Sequence, residues 1–202
     1  GVKYHIKTNF PSNRIALHNF DDGYCGISKI EDDKYCLCYL TTAKNLKRCN
    51  NSIPELEEKI LRKNPHLNKI FSEAEFLYNL PETIAQISFD QKTQLEHHML
   101  MIGDAAGMIA PLCGNGMSMA MHGSKIAFEQ IHPFLQGKIS RDEMEKAYQD
   151  KWNEHFKTRL TTGRLIQGMF GKRWITNSFI NALNPFPNMV EKLIRQTHGE
   201  PF

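Results

Sequence analysis

The alternation of apolar and polar residues along the first part of the chain is that of short β-strands. Four segments within residues 1–42 are rich in aromatic and β-branched residues and place apolar side chains at roughly every second position, which is typical of strands with one buried face. Turn-forming residues separate them. The four segments are VKYHIK, NRIALHNF, GYCGISKIE and KYCLCYLT. We therefore predict an antiparallel sheet over residues 1–42.

From Ser52 onward the apolar spacing changes to three and four, which indicates helices. Ser52 is a candidate N-cap, and Ser140 and Glu143 have the spacing of a capping box. A continuous apolar run over residues 97–103, HHMLMIG, predicts a buried strand. The other predicted elements are helices at 52–64, 66–72, 116–135, 140–168, 174–183 and 187–197 and strands at 74–80 and 83–90.

Composition excludes several classes of function. The chain carries 25 basic and 22 acidic residues, a net charge of +3, and this near balance argues against a nucleic-acid partner. No apolar run approaches the ~18 residues of a membrane span. The five cysteines lack the spacing of a zinc site, and Cys36 and Cys38 share one strand face at a separation awkward for a disulfide. We therefore expect no metal, no transmembrane segment, and free thiols in a reducing cytoplasm.

The stretch GDAAGMIAPLCGNGMS, residues 103–118, has the features of a ligand cradle. An apolar strand ends at Gly103-Asp104, and the small residues that follow allow a close approach of the backbone to a ligand. Gly114-Asn115-Gly116 then begins a helix whose first N–H groups have no intrahelical partner, and these donors suit an electron-rich group. Taken alone, a strand followed by a glycine-rich turn is a weak signal, because Asp104 can simply cap a turn.

The whole stretch resembles the second flavin-binding motif of FAD-dependent oxidoreductases of the p-hydroxybenzoate hydroxylase and geranylgeranyl reductase superfamily. The shared pattern is an apolar strand, Gly-Asp-Ala, a proline, Gly-x-Gly and a helix with small residues. The resemblance implies that Asp104 binds the ribityl chain of FAD and that the helix start faces the flavin ring. The implied cofactor-binding residues are Gly103, Asp104, Ala105, Pro111, Gly114, Asn115, Gly116 and Met117.

The resemblance also implies a function and leaves several alternatives open. The superfamily's N-terminal Gly-x-Gly-x-x-Gly motif, which holds the ADP part of FAD, does not occur in these residues, so we expect the chain to be a fragment of a longer enzyme. The implied activity is a monooxygenase-type or reductase-type oxidation–reduction of a small apolar or aromatic substrate. The implied electron donor is a reduced nicotinamide or another reductant, and catalytic residues are not identified. The alternative is a non-catalytic module that binds a lipid or a protein.

The fold that these expectations describe is α+β. An antiparallel substrate-domain sheet with inserted helices would occupy residues 1–97. The C-terminal part of a FAD-binding domain, with its strand, Gly-Asp motif and helix, would occupy residues 98–136. A helical tail would occupy residues 137–202.

Overall fold

A computed structural model describes residues 1–170 and 172–198, so residues 199–202 of the predicted helical tail lie outside the described ones. Its main sheet is antiparallel and has the strand order β2-β3-β4-β1-β5, with β6 also paired to β1. The four predicted strands of residues 1–42 are confirmed. The six strands are β1 (Val2–Lys7), β2 (Ala16–Phe20), β3 (Gly23–Lys29), β4 (Tyr35–Thr41), β5 (Glu75–Phe76) and β6 (Glu82–Thr83).

One face of this sheet forms a hydrophobic core with three helices. The helices are α1 (Ala43–Arg48), α2 (Ile53–Lys59) and α3 (Pro65–Glu73). Alternate strand residues such as Ile6 and Leu37 point into this core, where both are fully buried. α3 follows the predicted spacing, and the Ser52 hydroxyl accepts a hydrogen bond from the Glu55 amide at 3.3 Å as the N-cap of α2. The helix predicted at 52–64 was wrong in its second half, because α2 ends at Lys59 and Leu61–Lys63 form a separate 3₁₀ turn.

Helix α1 was missing from the prediction because tertiary contacts fix it. Its segment contains a single large apolar residue, Leu46, and so lacks an amphipathic pattern. Asn45 is 1% exposed, and its side-chain amide donates to the Asp21 carbonyl at 2.7 Å and to the Thr41 hydroxyl at 3.0 Å. The helix therefore depends on a hydrogen bond to a turn more than twenty positions away in the sequence.

The strand predictions at 74–80 and 83–90 were wrong over most of their length. Only Glu75–Phe76 and Glu82–Thr83 pair with β1, and the residues around them are irregular. Tyr78, Leu80 and Ile84 are more than half exposed, so their apolar side chains do not face a core. The residues of these segments alternate as in a strand, but each segment pairs with β1 over only two residues.

The remaining elements are mainly helical. β7 (Leu95–Glu96) and β8 (Met99–Leu100) form a two-stranded hairpin of their own. They are followed by α4 (Gly116–Leu135), α5 (Arg141–Met169), α6 (Arg173–Leu183) and α7 (Pro187–His198), all within a few residues of the predicted helices. The capping box of α5 is confirmed, since the Ser140 amide donates to Glu143 Oε2 at 2.7 Å and the Glu143 amide donates to Ser140 Oγ at 3.3 Å.

The predicted buried strand at 97–103 was wrong. Its paired part is limited to Met99–Leu100, with Leu95–Glu96 as partner, and Met99 is 56% exposed. A strand is buried on both faces only when neighbouring strands and covering layers surround it. Within the described residues this segment has one two-residue partner, so its apolar residues are only partly covered.

The chain divides into two compact units. The first comprises Gly1–Ile87 and Met169–Asn181, and the second comprises Ser88–Gly168 and the chain from Ala182 onward. The second unit has its own hydrophobic core, built around Tyr148 and Phe156 of α5 and Ile126 of α4. No helix in the described part of the chain is long and apolar enough to span a bilayer.

Candidate functional site

The first half of the glycine-rich motif is a tight turn that follows β8. Residues Gly103–Ala105 form one turn of 3₁₀-helix, and the Gly103 carbonyl accepts hydrogen bonds from the amides of Ala106 at 3.1 Å and Gly107 at 3.2 Å. Gly103 has a φ of +60°, in the left-handed region that favours glycine. The next two residues, Asp104 and Ala105, are exposed. The turn thus presents the Asp104 carboxylate at the surface.

Side chains from two other segments hold this turn in place. Each donates a hydrogen bond to a backbone carbonyl of the turn or of the residues just before it: Lys92 Nζ to Asp104 at 2.8 Å, Gln94 Nε2 to Ala106 at 3.1 Å, and the Tyr148 hydroxyl to Met101. Burial raises the pKa of Tyr148 to about 12, so this hydroxyl keeps its proton and its donor role at neutral pH. Sequence reasoning missed all three residues, because nothing in the local pattern marks them.

The second half of the motif is a loop that leads into α4. Residues Pro111–Cys113 form another 3₁₀ turn, which ends at Gly114 with a φ of +65°. Asn115 is the N-cap residue of α4, and Gly116 is its first helical residue. Pro111 and Gly114 are exposed, and Met117 is 85% exposed. We call residues 110–116 the glycine loop.

The start of α4 is open to a ligand. A Cβ atom built on Gly114 or Gly116 would meet no other atom within 4 Å. Asn115 makes no capping hydrogen bond with its side chain, and the first amides of a helix lack intrahelical partners. The positive end of the helix dipole is therefore directed at free space above two glycines. This arrangement can accept a flat group that carries partial or full negative charge.

The structure brings both halves of the motif to the same helix. The turn at Gly103–Ala105 packs against α4, and a Cβ atom on Gly103 would lie 3.5 Å from the Cβ of Ala120, one turn beyond Gly116. All eight residues predicted to bind the cofactor lie in the second compact unit. Seven of them are exposed or partly exposed, whereas Asn115 is 8% exposed and its side chain points into the protein.

Arg159 is a fourth residue that sequence reasoning missed, and in this case the sequence contained a signal. It follows Phe156 and precedes Leu160 on the apolar side of α5, where a charged side chain is unusual. Arg159 is 7% exposed, and burial lowers the pKa of its guanidinium, which stays charged at neutral pH. A cation on the buried face of a helix indicates a specific acceptor nearby.

No metal centre is evident in the part of the chain that the structure describes. No group of three or more His, Cys, Asp or Glu side chains is placed to hold a metal ion there. All five cysteines are free thiols.

Comparison with solved structures defines the class of fold. The chain superimposes on the flavin-dependent brominase Bmp2 with a TM-score of 0.75 at 21% sequence identity, over 98% of this chain and 49% of the brominase. The α+β fold with an antiparallel sheet that the sequence predicts is thereby confirmed.

Sequence comparison gives the family. The squalene epoxidase family profile matches residues 27–162, more than half of the chain, and the chain belongs to this family. It is 29% identical to conditioned medium factor receptor 1 of Dictyostelium discoideum over 139 residues, 66% of this chain and 26% of that protein. It is 34% identical to digeranylgeranylglycerophospholipid reductase of Methanococcus vannielii over 67 residues, 33% of this chain and 17% of that protein. The chain thus spans about half the length of the brominase and 26% and 17% of these two curated relatives.

Proposed function

We propose that this chain forms part of an FAD-dependent oxidoreductase and contacts the ribityl chain and the isoalloxazine ring of the flavin. The observation that carries the proposal is the open start of α4, where Gly114 and Gly116 leave room for a flat ligand at the positive end of a helix. Membership of the squalene epoxidase family and the likeness to a flavin-dependent brominase support it.

In this proposal each part of the motif has a separate role. The exposed Asp104 carboxylate accepts hydrogen bonds from ribityl hydroxyls, and the flanking small residues Gly103 and Ala105 leave space for the chain. The part of the glycine loop from Pro111 to Gly116 lies beside the ring. The amides of Gly116 and Met117 face its electron-rich edge and stabilise negative charge there. FAD itself supplies the oxidation–reduction chemistry.

The proposed substrate class and reaction type come from the resemblance to the flavin-dependent oxidoreductases described above. We propose a small apolar or aromatic substrate and a reduced nicotinamide or another electron donor, with either oxygen activation or reduction of the substrate as the reaction. Buried, unpaired thiols such as Cys25 and Cys49 support a reducing compartment, the cytoplasm. No specific observation favours the alternative of a non-catalytic lipid- or protein-binding module.

The Asp104 role is tested by flavin titration of the chain. We expect Asp104→Ala to raise the flavin Kd roughly tenfold, because a buried ribityl hydroxyl would lose its acceptor at a cost of about 1–3 kcal/mol. Thermal stability should stay within about 0.5 kcal/mol of wild type, since Asp104 is exposed. Flavin fluorescence gives the Kd, and circular dichroism gives the stability.

A matched control is Asp142→Ala, an exposed aspartate in the first turn of α5. This variant should bind flavin as the wild type does. An Asp104→Ala protein with the wild-type Kd would remove Asp104 from the site. A wild-type chain that binds no flavin at millimolar concentration would overturn the cofactor proposal as a whole.

A further inference from the structure

The side chain of Asn115 connects the glycine loop to the end of the last helix. Asn115 is 8% exposed, and its Nδ2 donates to the carbonyl oxygens of Thr197 at 3.2 Å and of His198 at 2.9 Å. An N-cap asparagine ordinarily accepts hydrogen bonds from the first turn of its own helix. Here the side chain is instead directed away from α4 and toward the C-terminal end of α7, eighty positions further along the chain.

Arg159 donates to the same two carbonyls from α5. Its Nε lies 3.4 Å from the Thr197 oxygen and its Nη2 lies 2.5 Å from the His198 oxygen. The guanidinium also lies over the ring of Phe156, 5.3 Å from its centroid. The last carbonyls of a helix lack intrahelical donors and form the negative end of its dipole. The buried Arg159 guanidinium thus supplies donors to two backbone carbonyls in the last described turn of α7.

A third contact involves the turn that precedes Gly114. Thr197 is 4% exposed, and its side chain lowers the pKa of the Cys113 thiol against the larger rise that burial causes. Cys113 is 9% exposed, and α7 packs against the turn Pro111–Cys113. The end of α7 therefore contacts the glycine loop on both sides of Gly114, through Cys113 and through Asn115.

We propose that the C-terminal end of α7 is a clamp that fixes the glycine loop in its flavin-binding conformation, with Arg159 as the positioning residue. The proposal rests on the function proposed above and adds to it the way in which the loop is held. Gly114 and Gly116 lack side chains and give the loop high conformational freedom when it is not anchored. Anchoring at Asn115 and Cys113 removes this freedom before the ligand binds, so less entropy is lost on binding.

The clamp has a readout that needs no flavin, namely the reactivity of the Cys113 thiol. Arg159→Met removes the cation and keeps an unbranched apolar side chain against Phe156. We expect iodoacetamide to alkylate Cys113 at least about tenfold faster in this variant, and the riboflavin Kd to rise by about tenfold. Peptide mass spectrometry separates Cys113 from the more exposed Cys36 and Cys38.

Two further variants test whether the changes in Cys113 alkylation and riboflavin affinity come from the charge at position 159. Lys151→Met removes an exposed cation from the same helix and should leave both measurements at wild-type values. Arg159→Lys keeps a charged donor and should restore much of the Cys113 protection and of the flavin affinity. If Arg159→Met does not fold, as judged by circular dichroism, Asn115→Ala removes the donors from the loop side and carries the same expectation.

The outcomes separate the clamp from the proposed function. Wild-type alkylation of Cys113 in Arg159→Met or Asn115→Ala would overturn the clamp, whatever the flavin measurements give. Faster alkylation with an unchanged riboflavin Kd and an unchanged absorption spectrum of the bound flavin would also overturn it, because the loop would then bind without being held. If the wild-type chain binds no riboflavin, the proposed function fails, and Cys113 reactivity alone decides whether α7 holds the loop.

Discussion

At the scale of single residues, the glycines of the motif differ in what requires them. A Cβ atom on Gly107 would lie 2.9 Å from side-chain atoms of both Leu160 and Trp152, so this glycine is needed for the packing of the turn against α5. A Cβ atom on Gly116 would meet nothing within 4 Å. Packing therefore does not explain glycine at position 116, whereas the proposed flavin, lying against the backbone, would require it.

This difference leads to opposite expectations for two alanine substitutions. Gly107→Ala should lower the free energy of unfolding by about 1–3 kcal/mol, because Leu160 and Trp152 must shift. Gly116→Ala should leave it unchanged or raise it by up to about 1 kcal/mol, since alanine favours the helix. Urea denaturation measures both values. Gly116→Ala should nevertheless weaken riboflavin binding, and unimpaired binding would show that the flavin ring lies elsewhere.

A half-buried acid in the first unit, Glu57, gives a pH-dependent stability. The hydroxyls of Tyr4 and Tyr39 donate to the same Glu57 oxygen, at 2.7 Å and 2.9 Å. Burial raises the pKa of Glu57 above its ordinary value of 4.5, and these two hydrogen bonds oppose part of that rise. A raised pKa in the folded state means that the folded chain binds the proton more tightly than the unfolded chain. The free energy of unfolding that this group contributes is lost as the pH rises from about 4.5 through the folded-state pKa.

Glu57→Gln removes this titration and keeps an oxygen that accepts from the tyrosines. We therefore expect the stability of the variant relative to wild type to increase between pH 4 and pH 7, by about 1.4 kcal/mol for each pKa unit of the Glu57 shift. Glu55→Gln on the same helix is the control, because Lys59 and Asn50 lower the pKa of Glu55. Its stability relative to wild type should decrease as the pH rises toward about 4.5 and should stay nearly constant above that pH. Urea denaturation at several pH values measures both. A difference between Glu57→Gln and wild type that stays constant with pH would contradict the assignment.

At the scale of elements, the sequence predicts what local interactions determine. The start of α5 at Ser140 was predictable because both partners of its capping box lie within three residues of each other. The bounds of α4 followed from Gly116 and from the apolar spacing up to Leu135. The eight motif residues were named because the local sequence resembles a flavin-binding motif, and their role toward a flavin stays a prediction.

Elements that depend on distant partners could not be predicted in the same way. The apolar run at 97–103 had the composition of a buried strand, but its pairing depends on strands that the local pattern does not specify. α1 depends on the hydrogen bond from Asn45 to Asp21. The contacts of Asn115 and Arg159 with the end of α7 join segments 38 to 83 residues apart, and no spacing rule connects such positions.

At the scale of the whole molecule, the motif residues belong to one unit, and the chain spans 49% of the brominase that shares its fold. The residues that we assign to the flavin would contact the ribityl chain and the ring. A second glycine-rich turn of the type Gly-x-Gly-x-x-Gly, which would bind the pyrophosphate of a dinucleotide, does not occur in the 202 residues. We therefore expect this chain to bind the ring and the ribityl chain of FAD and to make no specific contact with its ADP portion.

This separation predicts how fragments of the cofactor bind. Riboflavin, FMN and FAD all contain the ring and the ribityl chain, so we expect their Kd values for this chain to agree within about tenfold, a difference of about 1.4 kcal/mol. ADP lacks both groups and should neither bind measurably nor compete with riboflavin. Isothermal titration calorimetry with the four compounds measures this directly. If FAD binds about a thousandfold more tightly than riboflavin, the adenine half has contacts of its own within this chain, and the assignment of the motif to the ring and ribityl chain alone is wrong.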